Sequence, residues 1–253
     1  MKNILLLNKK EGETPLMVLN NFCKKHKKYK DVKMTYAGRL DPMARGLLLV
    51  LSGEEVKNKE KYLNLEKEYD FEILFGFTTD TYDILGKVTS SASLGLDELT
   101  EKEIKKHLKS FLGESVQKYP IYSSKTVKGK PLFSYARRGE EVEVPERKIF
   151  IKKLKLEKIR EIDNKRLFKN IEKRIRNVKG DFRQDEILEI WRKELNLQQE
   201  PQQGESLLKI ASFKIRCSSG TYVRVIANTL GNKLKIPALA FSIKRTKVGK
   251  YVI

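Results

Sequence analysis

The chain has 253 residues, 40% apolar and 34% charged, a globular composition that excludes a disordered chain and allows a sizeable core. Lys and Arg outnumber Asp and Glu by 53 to 33, a formal net charge of +20. Such an excess suits a nucleic-acid partner, because each neutralised phosphate releases counterions; a lysine-coated solubility surface is the alternative. Two isolated cysteines, Cys23 and Cys217, and two isolated histidines, His26 and His107, exclude a disulfide framework and a metal-ligand cluster. Both histidines read as solvated surface residues.

The N-terminal MKNILLLNKK holds four consecutive apolar residues before charge returns, too few for a signal peptide or a membrane span. A cytoplasmic protein with no membrane contact is expected. Ile4 to Leu7 predicts a buried strand, followed by a turn at Gly12 and a helix over 15–27 that turns Leu16, Val18, Leu19 and Phe22 to one face. A basic loop leads to GRLDPMARG at 38–46, where Pro42 disfavours helix at Asp41. Leu47 to Leu51 is an uninterrupted apolar run, the pattern of a strand covered on both faces.

Residues 69–77 predict another strand, and 97–112 a helix with Leu99, Ile104, Leu108 and Leu112 inward. Short strands are expected around 121–128, 141–151 and 207–217, then a helix over 221–235. Strands and helices mix without a βαβ repeat, which points to an α+β domain. Residues 165–197 break the rhythm with two helical patterns joined by GDFRQD, and QQEPQQG at 198–204 reads as a return loop. The first of the two, RLFKNIEKRIRNVK, is densely basic with Glu172 as its only acid. That face is either solvated or in contact with RNA.

Four stretches carry chemistry. They are GRLDPMARGLL at 38–48; KEY at 67–69 running on to FGFTTDTYDILGKV at 75–88; YPIYSS at 119–124, extended by Gly129 and LFSYARRG at 132–139; and CSSGTYVR at 217–224, with IKRTKVGKY at 243–251 closing the chain. Alone, an Asp-Pro pair reads as a turn, a lone tyrosine on a strand as core, and a helix arginine as solvent-facing.

Together and in this order the motifs resemble the bacterial tRNA pseudouridine-55 synthase family, TruB, over nearly the whole chain except the helical segment. The resemblance implies a pseudouridine synthase fold: a mixed, mainly antiparallel central sheet flanked by helices and loops, here with a helical-hairpin insertion at 163–204 in a single catalytic domain, 1–253. It implies isomerisation of uridine in the T loop of tRNA at position 55, with no cofactor and no metal. It places the catalytic aspartate at Asp41, the active-site tyrosine at Tyr69 and the arginine that pairs with the aspartate at Arg224. Lys9, Tyr36, Arg39, Arg45, Lys67, Arg137 and Arg245 become candidates for the RNA face, in a monomer that binds the T stem-loop.

The chain departs from the family at several points. Tyr36 stands where histidine is usual, and a tyrosine cannot gain charge near neutral pH. Lys9, Gly12 and Thr14 match the family's first motif, whereas its proline and serine are missing. The family's lysine in the YSA region falls at Thr126, and a strand would point the adjacent Lys125 to the opposite face. The chain ends shortly after VGKY, so no C-terminal PUA domain is expected. Part of the RNA grip is then expected from the basic hairpin, whose deletion over 165–199 should weaken RNA binding and leave the fold intact. Three other readings stand beside this one: the same chemistry on another structured RNA, a non-catalytic RNA-binding or RNA-folding module, and a DNA-binding protein. Retention of Asp41, Tyr69 and Arg224 speaks against the second, and the lack of a DNA-binding motif against the third.

Overall fold

The computed structural model describes residues 3–92, 95–197 and 207–253. Strand β1 (Ile4–Lys9) leads through Gly12 to helix α1 (Pro15–Lys25), whose first turn is fixed by Pro15 and by the Thr14 hydroxyl accepting the Met17 amide. Next come β2 (Met34–Tyr36), the Asp41 loop and β3 (Ala44–Ser52), which contains the apolar run and is fully buried from Gly46 onward. A short helix α2 (Lys59–Leu63) precedes β4 (Lys67–Phe75), then β5 (Phe77–Thr79) and β6 (Val88–Ser91). Helix α3 (Glu101–Leu108), β7 (Gly113–Lys118), the small hairpin β8 (Thr126–Val127) and β9 (Lys130–Pro131), and α4 (Leu132–Arg138) follow. Strand β10 (Glu146–Ile162) runs into the helix pair α5 (Asn164–Arg176) and α6 (Gln184–Glu194). The chain then forms β11 (Leu208–Cys217), α7 (Val223–Leu234), β12 (Ala238–Val248) and β13 (Tyr251–Val252).

One nine-stranded sheet runs in the order β1-β3-β12-β4-β11-β10-β7, with β2 beside β3 and β13 beside β12. Neighbours are antiparallel except β3 and β12, which run parallel from the pair Ala44 and Ile243. The expected α+β class with a mixed, mainly antiparallel sheet is what the chain adopts. The main core joins Phe71, Ile73, Phe213 and Ile215 of the sheet to Ile226 and Leu230 of α7.

The helix pair belongs to that same core. Leu167, Phe168, Ile171, Ile175, Ile187 and Trp191 are all buried within it. Trp191 packs tilted against Phe77 with ring centres 5.2 Å apart and donates its indole N–H to the Ile84 carbonyl at 3.2 Å. The expectation that 165–199 could be deleted with the fold intact is therefore overturned, since deletion would strip apolar surface from the sheet. The expected return loop at 198–204 lies outside the described residues.

Other details also differ. The helix over 97–112 is shorter, with Leu99 buried before its start; Leu112 is exposed at 47%, and Phe111 is the residue that turns inward. The strand expected over 141–151 begins at Glu146 and continues to Ile162. Strands β2, β6, β7, β9, β12 and β13 and helices α2 and α4 have no counterpart among the expected elements. His107 is half-buried, while His26 is exposed beside the Phe22 ring at 4.4 Å. Among the described residues no helix is long and apolar enough to cross a membrane.

Candidate active site

The loop carrying Asp41 is anchored from below. Lys9 ends β1 fully buried, and its ammonium donates to the carbonyls of Lys10 (3.1 Å), Pro42 (3.2 Å) and Ala44 (2.5 Å). Burial lowers its pKa to about 8, with Asp41 foremost among the acids opposing that fall, so it remains largely charged at neutral pH. The Gly12 amide adds a bond to the Pro42 carbonyl at 2.9 Å. Asp41 closes the turn by accepting the Ala44 amide at 3.0 Å, immediately before β3 enters the sheet.

Arg224 fixes the carboxylate from above. It stands in the first turn of α7 with its side chain only 3% exposed. All three of its nitrogens donate: Nε to Asp41 Oδ2 at 2.8 Å, and the two terminal nitrogens to the carbonyls of Thr81 (2.7 Å) and Tyr122 (2.8 Å). A planar guanidinium held at three points fixes both the position and the direction of the bond to Asp41. Asp83 lies buried nearby; burial pushes its pKa up to about 6, and Arg224 opposes that rise.

Tyr69 sits on β4 opposite Ile215 on β11 and Arg245 on β12. Burial pushes its phenol up to about 12 against the pull of Arg245, so the hydroxyl stays protonated at neutral pH. Two clefts meet at Asp41 and Arg224. One of about 490 Å³ is walled by Tyr122, Phe133, Phe182 and Arg183; another of about 680 Å³ holds Tyr69, Tyr119, Arg147 and Tyr222. Tyr36 and Arg39 border both, joined by a 3.2 Å bond from the guanidinium to the phenol oxygen, and Arg39 also reaches the Ser124 hydroxyl.

The structure thus brings Asp41, Tyr69 and Arg224 to one site, with Tyr36 and Arg39 at its lip. Arg137 lines the smaller cleft and donates to the Asp181 carbonyl at 3.1 Å. Of the other four RNA-face candidates, Lys67 and Arg245 line the floor of the larger cleft but are buried, and Lys9 and Arg45 line neither cleft. Lys9 is a buried strut. Lys67, 3% exposed, donates to the Leu63 carbonyl at 2.5 Å, and burial lowers its pKa to about 8. Arg245, 1% exposed, donates to the carbonyls of Leu47 (2.7 Å) and Gly38 (3.1 Å). Arg45 is exposed but borders a different hollow, with Glu72 and Lys244. Lys125, set aside on a strand argument, precedes β8; it lines the larger cleft, with its ammonium 5.3 Å from the centre of the Tyr119 ring.

Sequence reasoning missed several wall residues. Arg147 lines the larger cleft, and its buried Nε has no hydrogen-bond partner among the described residues. Tyr119 and Tyr222 pack edge to face at 5.7 Å. Asp80 and Arg183 pair at 2.9 Å. The motifs around Tyr119, Tyr222 and Asp80 were in view, but Arg147 and Arg183 lie in stretches with no motif. Among the described residues no cluster of three metal-ligating side chains occurs.

This mixed, mainly antiparallel sheet with its flanking helices has the pseudouridine synthase fold. The same fold is seen in the crystal structure of a Cbf5-Nop10-Gar1 complex, with TM-score 0.56 and 17% identity over 98% of this chain and 49% of that one. Residues 24–182 match the TruB family pseudouridylate synthase (N terminal domain), and the chain belongs to that family. The tRNA pseudouridine synthase B of Carboxydothermus hydrogenoformans is 35% identical over 228 residues, covering 90% of this chain and 64% of the relative. That of Caldanaerobacter subterraneus subsp. tengcongensis is 33% identical over 221 residues, covering 87% and 61%. The chain thus spans somewhat under two thirds of the length of these relatives.

Proposed function

We propose that this chain isomerises uridine to pseudouridine in the T loop of tRNA, at position 55, acting in the cytoplasm as a monomer without cofactor or metal. The observation that carries this reading is the Asp41 carboxylate, clamped by Arg224 at 2.8 Å and bordering two clefts. The reaction breaks the bond between the ribose C1′ and N1, turns the base, joins C1′ to C5 and moves the C5 proton to N1. No electrons or groups are gained or lost, so an ionised carboxylate acting at the ribose suffices. Arg224 holds that carboxylate in place and aims it. Tyr69, protonated at neutral pH, stacks on the flipped base. Tyr36, Arg39, Arg137, Lys125 and Arg147 contact the RNA from the walls of the two clefts. The basic hairpin, residues 163–204 within a single catalytic domain, contributes phosphate contacts through Lys165, Lys169 and Lys173, all exposed on α5.

The test is conversion of a tRNA transcript, read by nucleoside mass spectrometry with the position mapped. Wild type should form pseudouridine at the T-loop uridine, and Asp41→Asn should form none while remaining folded. Tyr36, at the lip in place of the usual histidine, favours as second reading the same chemistry on another structured RNA. A product mapped outside tRNA would select it. A folded protein that binds RNA and converts none of it would refute both.

A further inference from the structure

Both carbonyls that grip Arg224 belong to segments held by one residue of the helix pair. The loop between α5 and α6 carries Arg183, whose terminal nitrogen donates to Asp80 Oδ2 and to the Tyr122 hydroxyl, each at 2.9 Å. Its guanidinium also lies 4.7 Å from the centre of the Tyr122 ring. Tyr122 supplies one of the carbonyls on Arg224, and Thr81, next to Asp80, supplies the other. Asp80 is tied in turn by its other oxygen, which accepts the Lys87 amide at 2.9 Å. The pair is partly buried, with side chains 22% and 20% exposed.

Arg183 is itself set in place. Its backbone is left-handed, with φ at 63°, a conformation that a residue with a Cβ keeps only where its surroundings demand it. The surroundings are visible: Asp181 Oδ1 accepts the Arg183 amide at 3.2 Å, the Gln184 side chain accepts the Phe182 amide at 2.8 Å, and Arg137 holds the Asp181 carbonyl. The helices behind the loop are locked to the core through Trp191, and to the turn before α1 through the Arg174–Glu11 ion pair at 2.7 Å.

We propose that Arg183 is a positioning residue for the isomerisation: through Asp80 and Tyr122 it holds the two carbonyls that aim Arg224 at Asp41. The helix pair then takes part in catalysis from behind, independently of any RNA contact on its outer face. This rests on the function proposed above.

The experiment uses the full chain and a T-stem-loop RNA, comparing wild type, Arg183→Ala, Arg183→Lys, Asp80→Ala and the double alanine variant. Arg183→Ala should lower the single-turnover rate on the order of 100-fold, as a misplaced catalytic group does, while KM moves less than about threefold. Arg183→Lys should recover part of the rate, and the double variant should be no slower than the worse single one. An unchanged rate, or a loss confined to KM, overturns the proposal.

A second readout needs no turnover. The Arg224 Nε–H resonance, identified by its loss in Arg224→Lys, should exchange faster with solvent in Arg183→Ala than in wild type. An unchanged exchange rate overturns the inference even if the chain converts no RNA, while a wild type that converts none overturns only the functional reading. Thermal unfolding of each variant separates repositioning from loss of fold.

Discussion

Asp83 shows how burial and pairing compete at a single side chain. One of its carboxylate oxygens accepts the Thr81 hydroxyl at 2.8 Å and the Leu85 amide at 3.0 Å, and the residue is 6% exposed. Burial nevertheless prevails, and its pKa stands at about 6 rather than the ordinary value near 4. Between these values the folded chain keeps a proton that the unfolded chain has released. The stability tied to this proton is present in full below about pH 4 and is lost as pH rises through about 6. In denaturant unfolding, wild type should lose on the order of 2–3 kcal/mol relative to Asp83→Asn between pH 4 and 7, with no further change above. A difference that does not vary with pH would mean that Asp83 is ionised throughout.

At the scale of elements, Gly12 joins two parts of the site. Its amide holds the Pro42 carbonyl and its own carbonyl accepts the Lys179 amide, both at 2.9 Å, so the turn after β1 bridges the Asp41 loop and the end of α5. Its φ is +85°, and a Cβ there would lie 2.7 Å from the Asn177 carbonyl oxygen. Gly12→Ala should therefore cost roughly 1–3 kcal/mol, read from the denaturation midpoint. It should also slow the reaction, because relieving the clash moves either α5 or the Asp41 loop. The sequence announced this turn, as it did β3, α7 and both helices of the pair, because each is marked by an apolar period or a cap. It did not announce β12, whose apolar first half was eclipsed by the IKRTKVGKY motif that overlaps it. Nor did it announce β7, an edge strand where only Gln117 is buried, or α4, whose buried residues are just Leu132 and Tyr135. The centre of the site was legible because Asp41, Tyr69 and Arg224 sit in motifs. Arg183 was not, since its meaning comes from Asp80, 103 residues away. Nor did the sequence tell that Lys9, Lys67 and Arg245 would be buried with their charges on backbone carbonyls, because charge alone does not say whether a carbonyl cradle or a phosphate will meet it.

At the scale of the whole molecule, the net charge of +20 becomes a surface with a direction only if RNA uses it. Exposed Lys165, Lys169 and Lys173 lie on one helix, whereas Arg174 of that helix is already committed to Glu11 and the Phe241 carbonyl. Replacing the three lysines by glutamine should reduce the slope of log affinity against log salt by roughly 0.7–0.9 for each phosphate no longer neutralised, measured across salt with T-stem-loop RNA. The catalytic rate at saturating RNA should stay unchanged, and an unaltered slope would mean that this face is merely solvated. The place of β12 has a separate consequence, for how the molecule is made. Its Arg245 bonds to Leu47 across 198 positions, and the strand fills the gap between β3 and β4, both formed from the first third of the chain. Until residues 238–248 are made, neither β3 nor β4 has its partner on that edge, and unpaired edges invite pairing with other chains. Assembly of the catalytic pocket is thus a late, long-range event, and a chain halted before residue 238 has most of the motifs but no closed sheet on which to mount them.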